Sequence, residues 1–292
     1  MTMRLTVLLL LTLSAGANAQ DLATALDSEE VAPGIHVLYG ADGKFGGGNM
    51  ALLVGDDEIV LIDDSMAPLA PLVIERATGI AGRPVDFVIN THIHGDHVGG
   101  NAALAETGTV VVAHDNIRKR LIADPSPAGG VGGLPVITFG DGISFHVNGM
   151  EAKVFHIPTA HTDGDGAIEF RGANVIHTGD LWFHGLFPYI DLDNGGSVDG
   201  YIAGQQKIIA MADDDTTIIP GHGPVAGRAE LERDNAMLID SRSRVKALVD
   251  RGMSEDAIVA ANPLEIHHDD YNWGFITTER ITRTLIRDLA GE

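Results

Sequence analysis

The stretch INTHIHGDHVGGN, residues 89–101, constrains the chain more than any other. His92, His94, Asp96 and His97 fall within six consecutive positions. Imidazole and carboxylate groups cost free energy to bury unless something pairs with them. The stretch follows the apolar run VDFVIN (85–90) and is broken by Gly95, Gly99 and Gly100, so it reads as a loop at a strand end rather than a helix. In extended backbone residues i and i+2 point the same way, which puts His92, His94 and Asp96 on one side. His97 faces elsewhere unless the chain turns there. Such a distribution suits two adjacent metal ions better than one, unlike helical ligands spaced i, i+4.

The rest of the chain places this loop among strands. GIHVLYG (34–40), NMALLVG (49–55) and EIVLIDD (58–64) read as strands, with the glycine-rich ADGKFGGG between the first two as a flap. A helix from about Ala67 to Thr78 leads to VDFVIN. A short helix near Asn101–Glu106, the strand TVVVAH (109–114) and a helix around Asn116–Ile122 follow, before a Pro/Gly-rich loop at 124–135. The second half repeats the rhythm with strands at SFHV, AKVFHIP, GAIEFRG and NVIHTGD, a helix from its N-cap Ser197 to about Ala212, and the strand TTIIPGH (216–222). Helices from about Ala226 to Asp250, near Ser254–Ala261 and near Ile276–Leu289 finish it. Two similar halves of this kind predict an α/β chain with two sheets face to face and helices outside; a doubly wound single sheet is the alternative.

Three further segments supply metal-ligand side chains where strands are expected to end. PTAHTDGD holds His161, IHTGD holds Asp180 and IPGHGP holds His222, each flanked by Gly or Pro. His92, His94 and His161 form one candidate trio, and Asp96, His97 and His222 a second. Asp180 is then the bridge between two ions about 3.5–4 Å apart, as in two-metal hydrolases. His36, His114, His146, His156, His267 and His268 read as structural or surface groups, whereas His177 and His184 flank Asp180 and are candidates for substrate contact.

Composition narrows the partners. The chain has 41 Asp and Glu against 19 Lys and Arg, which argues against a nucleic-acid partner. With no cysteine there is neither a disulfide framework nor a thiolate ligand. The first residues, MTMRLTVLLLLTLSAGANAQ, join Arg4, an apolar run from Leu5 to Leu13 and the small-residue end Ala17-Asn18-Ala19, the pattern of a signal peptide over residues 1–19. That pattern predicts export to the periplasm and no membrane attachment after cleavage. No obligate protein partner is implied.

H-x-H-x-D-H followed by separated His, Asp and His resembles the metallo-β-lactamase superfamily, from the LIDDS strand end to PGHGP. The resemblance implies an αββα sandwich of two mixed sheets, here one domain over 20–292 with a helical C-terminal extension. It implies two Zn²⁺ ions per chain, with Fe or Mn compatible, and Asp63 as the residue that orients the ligand loop. It also implies attack on a carbonyl by a metal-activated water, oriented by Asp96, without a serine nucleophile. No G-x-S-x-G occurs in the chain.

The same resemblance leaves the substrate open. Lactamases of the cysteine-ligand subclass have Cys at the position of Asp180 and Lys at that of Phe183. The ligand set here is closer to glyoxalase II and the acyl-homoserine lactonases, although the latter carry Tyr where this chain has Phe183. Glyoxalase II uses a basic helical C-terminal region that this acidic chain does not match. Export favours a β-lactam, with a lactone or thioester as the alternative and iron-dependent persulfide oxidation a further one. Asn194 resembles an oxyanion-assisting Asn of lactamases, and Phe45, Trp182, Phe183 and Phe187 are candidates for an apolar wall over the metals.

Overall fold

Branched apolar residues dominate the strands, and their alternation sets the layers of a computed structural model that describes residues 26–41 and 46–291. The proposed signal peptide and Phe45 lie outside these residues. Seven strands form the first sheet in sequential order: β1 (Leu26–Ala32), β2 (Ile35–Gly40), β3 (Met50–Leu53), β4 (Val60–Ile62), β5 (Phe87–Ile89), β6 (Val110–His114) and β7 (Ile137–Phe139). β1 to β4 pair antiparallel and β4 to β7 parallel. The second sheet runs in the order β12 (Thr217–His222), β11 (Val175–Phe183), β10 (Gly166–Arg171), β9 (Met150–His156) and β8 (Gly142–Val147). Only β11 and β12 are parallel in it.

Register assigns each face. Leu52, Leu61 and Val88 lie abreast across β3, β4 and β5 and pack outward against Leu72, Val73 and Ala77 of helix α1 (Ala70–Ala81). Their neighbours Ala51, Leu53, Ile62 and Ile89 face the other way, onto Val154, Ile168, Phe170, Val175 and Ile219 of the second sheet. Side chains alternate along a strand, so one run of apolar residues fills both the outer layer and the layer between the sheets. The outer face of the second sheet is covered by Ile208 of α5 (Val198–Met211) and Leu231 of α6 (Arg228–Val249). The αββα sandwich expected from the sequence is therefore present, and the single doubly wound sheet is not.

Of the short helices, α3 (Asn101–Glu106) packs its Leu104 in the outer layer with α1, and α2 (Gly95–Val98) shares a small apolar cluster with α4 (Asp115–Ala123). A separate apolar cluster joins α5 and α6 to α7 (Glu255–Ala261), α8 (Glu265–Tyr271) and α9 (Thr278–Ala290). Side-chain caps fix several helix starts, with Ser197, Ser254 and Thr277 accepting from the third backbone N–H beyond each. Among the described residues no helix is long and apolar enough to cross a membrane.

Five readings change. The ligand stretch is not loop throughout, because Gly95–Val98 makes one helical turn. Strand β1 escaped the sequence pattern because its LDSEEVA is polar and mostly exposed, and β7 because it has only 3 residues at an edge. The helix α8 has the charged sequence EIHHDDY and no clear apolar period. Asp180 lies inside β11 rather than beyond its end.

Candidate metal centre

Each candidate ligand is aimed by a local feature of the chain. β4 and β5 are parallel neighbours, so the residues that follow them emerge side by side as Asp63 and Thr91-His92. Asp63 accepts from the Thr91 N–H and Thr91 Oγ1, both at 2.7 Å, and its Oδ2 lies 2.7 Å from His97 Nδ1. The helical turn of α2 supplies the change of direction that an extended chain denies His97 and brings it beside His92. Inside β11, Gly179 has φ 53°, and the register with β12 shifts on either side of it. That kink puts Asp180 against the histidines.

The structure gathers all seven candidates. His92, His94, His161 and Asp180 form one group and Asp96, His97 and His222 another, the donor atoms of each lying within 4.8 Å of one another. Asp180 faces both groups with different oxygens. Its Oδ2 is 3.5 Å from His92 Nε2 and 3.3 Å from His161 Nε2. Its Oδ1 is 3.1 Å from His97 Nε2 and 3.4 Å from His222 Nε2.

Outer contacts fix which nitrogens point inward. His161 Nδ1 donates to the Tyr189 carbonyl at 2.7 Å, and His94 Nε2 donates to Asp191 Oδ2 at 2.8 Å. Their inner nitrogens, His161 Nε2 and His94 Nδ1, are then two acceptors facing each other at 2.9 Å. A cation held between them would turn that repulsion into attraction. His92 Nε2, His97 Nε2 and Asp180 Oδ1 are buried with no hydrogen-bond partner, and each such group costs roughly 1–3 kcal/mol. The donor set of imidazole and carboxylate suits Zn²⁺ and also Fe, Mn or Co.

Electrostatics divides the two groups. Burial pushes His92 well below the ordinary imidazole range and His161 down to about 4, so neither holds a proton near neutrality. Burial works the same way on His97 and His222, but carboxylates overcome it. Asp180, Asp96 and Asp63 hold His97 well above its usual range, and Asp180 raises His222 to about 9. Burial would raise Asp96 and Asp180; the facing His97 outweighs it, bringing Asp96 to about 2 and Asp180 well below the carboxylate range. Without metal, the positive charge between the carboxylates is therefore carried by protons on His97 and His222.

A cavity of about 560 Å³ opens over the ligands, lined by Met66, His94, Gly95, Asp96, Asp180, Phe183, Tyr189, His222, Trp273 and Phe275. Phe183 lies in its wall, stacked on His222 at 4.8 Å. The remaining sequence candidates for substrate contact face elsewhere. Asn194 gives its amide to Asp191 and receives Arg120. His184 stacks on Trp182 and donates to the Pro224 carbonyl, while Trp182 donates to Asp234. Phe187 is packed among the C-terminal helices, and His177 is fully buried, donating to the Asn49 carbonyl. Sequence reasoning missed Tyr189, Trp273 and Phe275, since single aromatic residues in connecting segments look like any other core residue.

The sequence profile of the metallo-beta-lactamase superfamily matches residues 43–222, most of the chain that carries both sheets and every candidate ligand. The chain belongs to the metallo-β-lactamase superfamily. Among relatives of this superfamily, a hydroxyacylglutathione hydrolase of Pelagibacter ubique is 34% identical over 33% of this chain and 36% of its own length. Another of that name from Polaromonas is 29% identical over 54% of this chain and 57% of its own. The chain thus spans about a third to three fifths of these curated relatives. A metallo-beta-lactamase from Pontibacter korlensis has a similar fold, with TM-score 0.64 at 16% identity over 74% of this chain and 99% of that one.

Proposed function

We propose that the chain is a two-metal hydrolase, zinc being its ion, that cleaves the acyl bond of an uncharged ester, lactone or thioester. The observation that carries this reading is Asp180, which presents one oxygen to each ligand group. Bound there, two ions would polarise a carbonyl oxygen and lower the pKa of water. Asp96 reaches the cavity, is ionised at neutral pH and is placed to orient the attacking water. Phe183, Tyr189, Trp273 and Phe275 would hold an apolar acyl or leaving group against the ligands.

The apolar wall of Phe183, Tyr189, Trp273 and Phe275 favours an uncharged substrate over a β-lactam, the class expected from the sequence. Among the described residues lining the cavity none is Lys or Arg, and the Arg280 guanidinium is stacked on the Phe275 and Tyr189 rings at 4.3 and 5.3 Å, whereas penicillins, cephalosporins and glutathione thioesters carry carboxylates at neutral pH. The curated relatives named hydroxyacylglutathione hydrolase support the thioester side. A β-lactam stays as the second reading because of the export-type stretch from Arg4 to Ala19. We further propose a periplasmic protein whose partners are small molecules, neither nucleic acid nor membrane, with no obligate protein partner. Sequencing of the exported chain would then begin at Gln20.

The test is a panel of neutral thioesters, lactones and β-lactam reporters on zinc-loaded protein, with metal measured on the same sample. Neutral esters or thioesters should exceed β-lactams in kcat/KM by about tenfold, the scale of a 1.4 kcal/mol preference. A reversed ranking restores the β-lactam reading. One iron per chain, with no hydrolysis, removes both.

A further inference from the structure

Arg120 lies outside the cavity, on α4, yet its guanidinium joins the two loops that carry His94's acceptor and His161. Its Nε and Nη2 donate to the two oxygens of Asp163 at 2.9 and 2.7 Å, and its Nη1 donates to Asn194 Oδ1 at 2.7 Å. Asn194 Nδ2 donates to Asp191 Oδ2 at 2.7 Å, the same oxygen that receives His94 Nε2 at 2.8 Å. Backbone bonds close the ring, from Asp163 N–H to the Asn194 carbonyl and from Asp191 N–H to the His161 carbonyl, both 2.9 Å.

We propose that Arg120 and Asn194 are positioning residues for one metal position only, the one formed by His92, His94 and His161. His94 is set apart from the other four ligand histidines. It offers its Nδ1 inward, and the Asp191 acceptor holds the proton on its outer Nε2. The Asn194 amide fixes the Oδ2 side of Asp191, whose Oδ1 accepts the Asn194 backbone N–H at 3.1 Å, and the Asn194 amide is turned by Arg120. A planar fork that meets a carboxylate with two donors and an amide oxygen with a third is a task lysine cannot copy. The second position is oriented from elsewhere: His97 is held by Asp63, which is fixed by Thr91. No hydrogen bond of the Arg120 ring reaches Asp96, His97 or His222.

The inference rests on the metal-centre reading above, and the experiment separates the two. Zinc affinity is measured by chelator competition in two backgrounds: His222→Ala, which leaves the first position, and His92→Ala, which leaves the second. Arg120→Met and Asn194→Ala should each weaken zinc about tenfold or more in the first background, the usual effect of losing a group that orients a ligand. In the second background the change should be within about twofold. Arg120→Lys should behave as Arg120→Met, because charge alone does not restore the fork. Equal losses in both backgrounds, as from general loosening of the fold, overturn the proposal, and so do unchanged affinities. If Arg120→Met fails to fold, Asn194→Ala carries the test, since it keeps the Arg120–Asp163 pair. A parent protein that binds no zinc overturns the metal reading and this inference together. A parent that binds zinc and variants that do not differ overturn this inference alone.

Discussion

Asp63 receives three hydrogen bonds and sits at φ 60°, a conformation that aspartate tolerates better than most residues. All three partners are donors, so an amide in its place would point an NH₂ at one of them. Asp63→Asn should weaken metal binding at the His97 position about 10- to 100-fold, read by chelator competition. Protons compete for that position too. A metal must displace the proton that His222 holds up to about pH 9, so zinc affinity there should rise with pH and level off near that value. The same shift acts on the metal-free fold. His222 is raised from its ordinary 6.5, so its contribution to stability is complete below pH 6.5 and is lost as pH rises through about 9. Thermal melts in chelator at pH 6.5 and 9 should show that decline, and a flat profile would count against the charged pair. At this scale the clustering of the candidate histidines was legible because spacing and order mark them. Asp191, Thr91 and Arg120 were not, because a lone polar residue in a loop carries no period and its partner is distant in sequence.

Strand ends make the site, and glycines let them meet. A Cβ on Gly221 would lie 2.0 Å from Asp180 Oδ1, and one on Gly48 would lie 2.0 Å from His97 Cε1. The G of PGH is thus required by the carboxylate of the neighbouring strand, through the parallel pairing of β11 and β12. Gly221→Ala should displace Asp180, with metal content falling below two per chain and activity dropping more than about tenfold. Far-UV circular dichroism should not change, since Gly221 lies at the end of β12; a variant with full metal content would refute the close approach. Element positions were legible wherever a short apolar run was bounded by turn residues, as in β3 to β6, or a capping residue opened a helix, as Ser197 does for α5. The kink at Gly179 and the turn of α2 were not, because each is one or four residues long and answers to its ligands rather than to a pattern. Local periodicity locates strands and helices; it does not say where a strand must break to admit a carboxylate.

The C-terminal helices complete the cavity of the sandwich. Trp273 and Phe275 follow α8 and form part of the wall over the ligands, and Trp273 is held by a bond from its Nε1 to the Phe187 carbonyl at 2.9 Å. Trp273→Ala should therefore raise KM more than it lowers kcat, whereas a loss confined to kcat would remove this residue from the binding wall. Beside the apolar cluster that packs these helices, one buried carboxylate ties them to the second sheet. Asp234 of α6 accepts from Trp182 Nε1 at 2.9 Å, from the Gly185 N–H at 2.9 Å and from the Tyr271 hydroxyl at 2.9 Å. It thereby ties α6 to the end of β11 and to α8, while the Arg233 guanidinium 3.1 Å away balances its charge. Nothing in LERDNAM singles this aspartate out from its charged neighbours, since its role depends on partners about 50 positions before it and 37 after it. Asp234→Ala would strand three donors in a site that is 3% exposed, each costing roughly 1–3 kcal/mol. Urea denaturation of zinc-loaded protein should show a loss of about 3–5 kcal/mol, the range for breaking a buried charged contact. KM should rise with it, because the Tyr271–Trp273 segment loses its anchor two residues from the wall. A stability loss without a change in KM would separate the docking of the helices from the shape of the cavity.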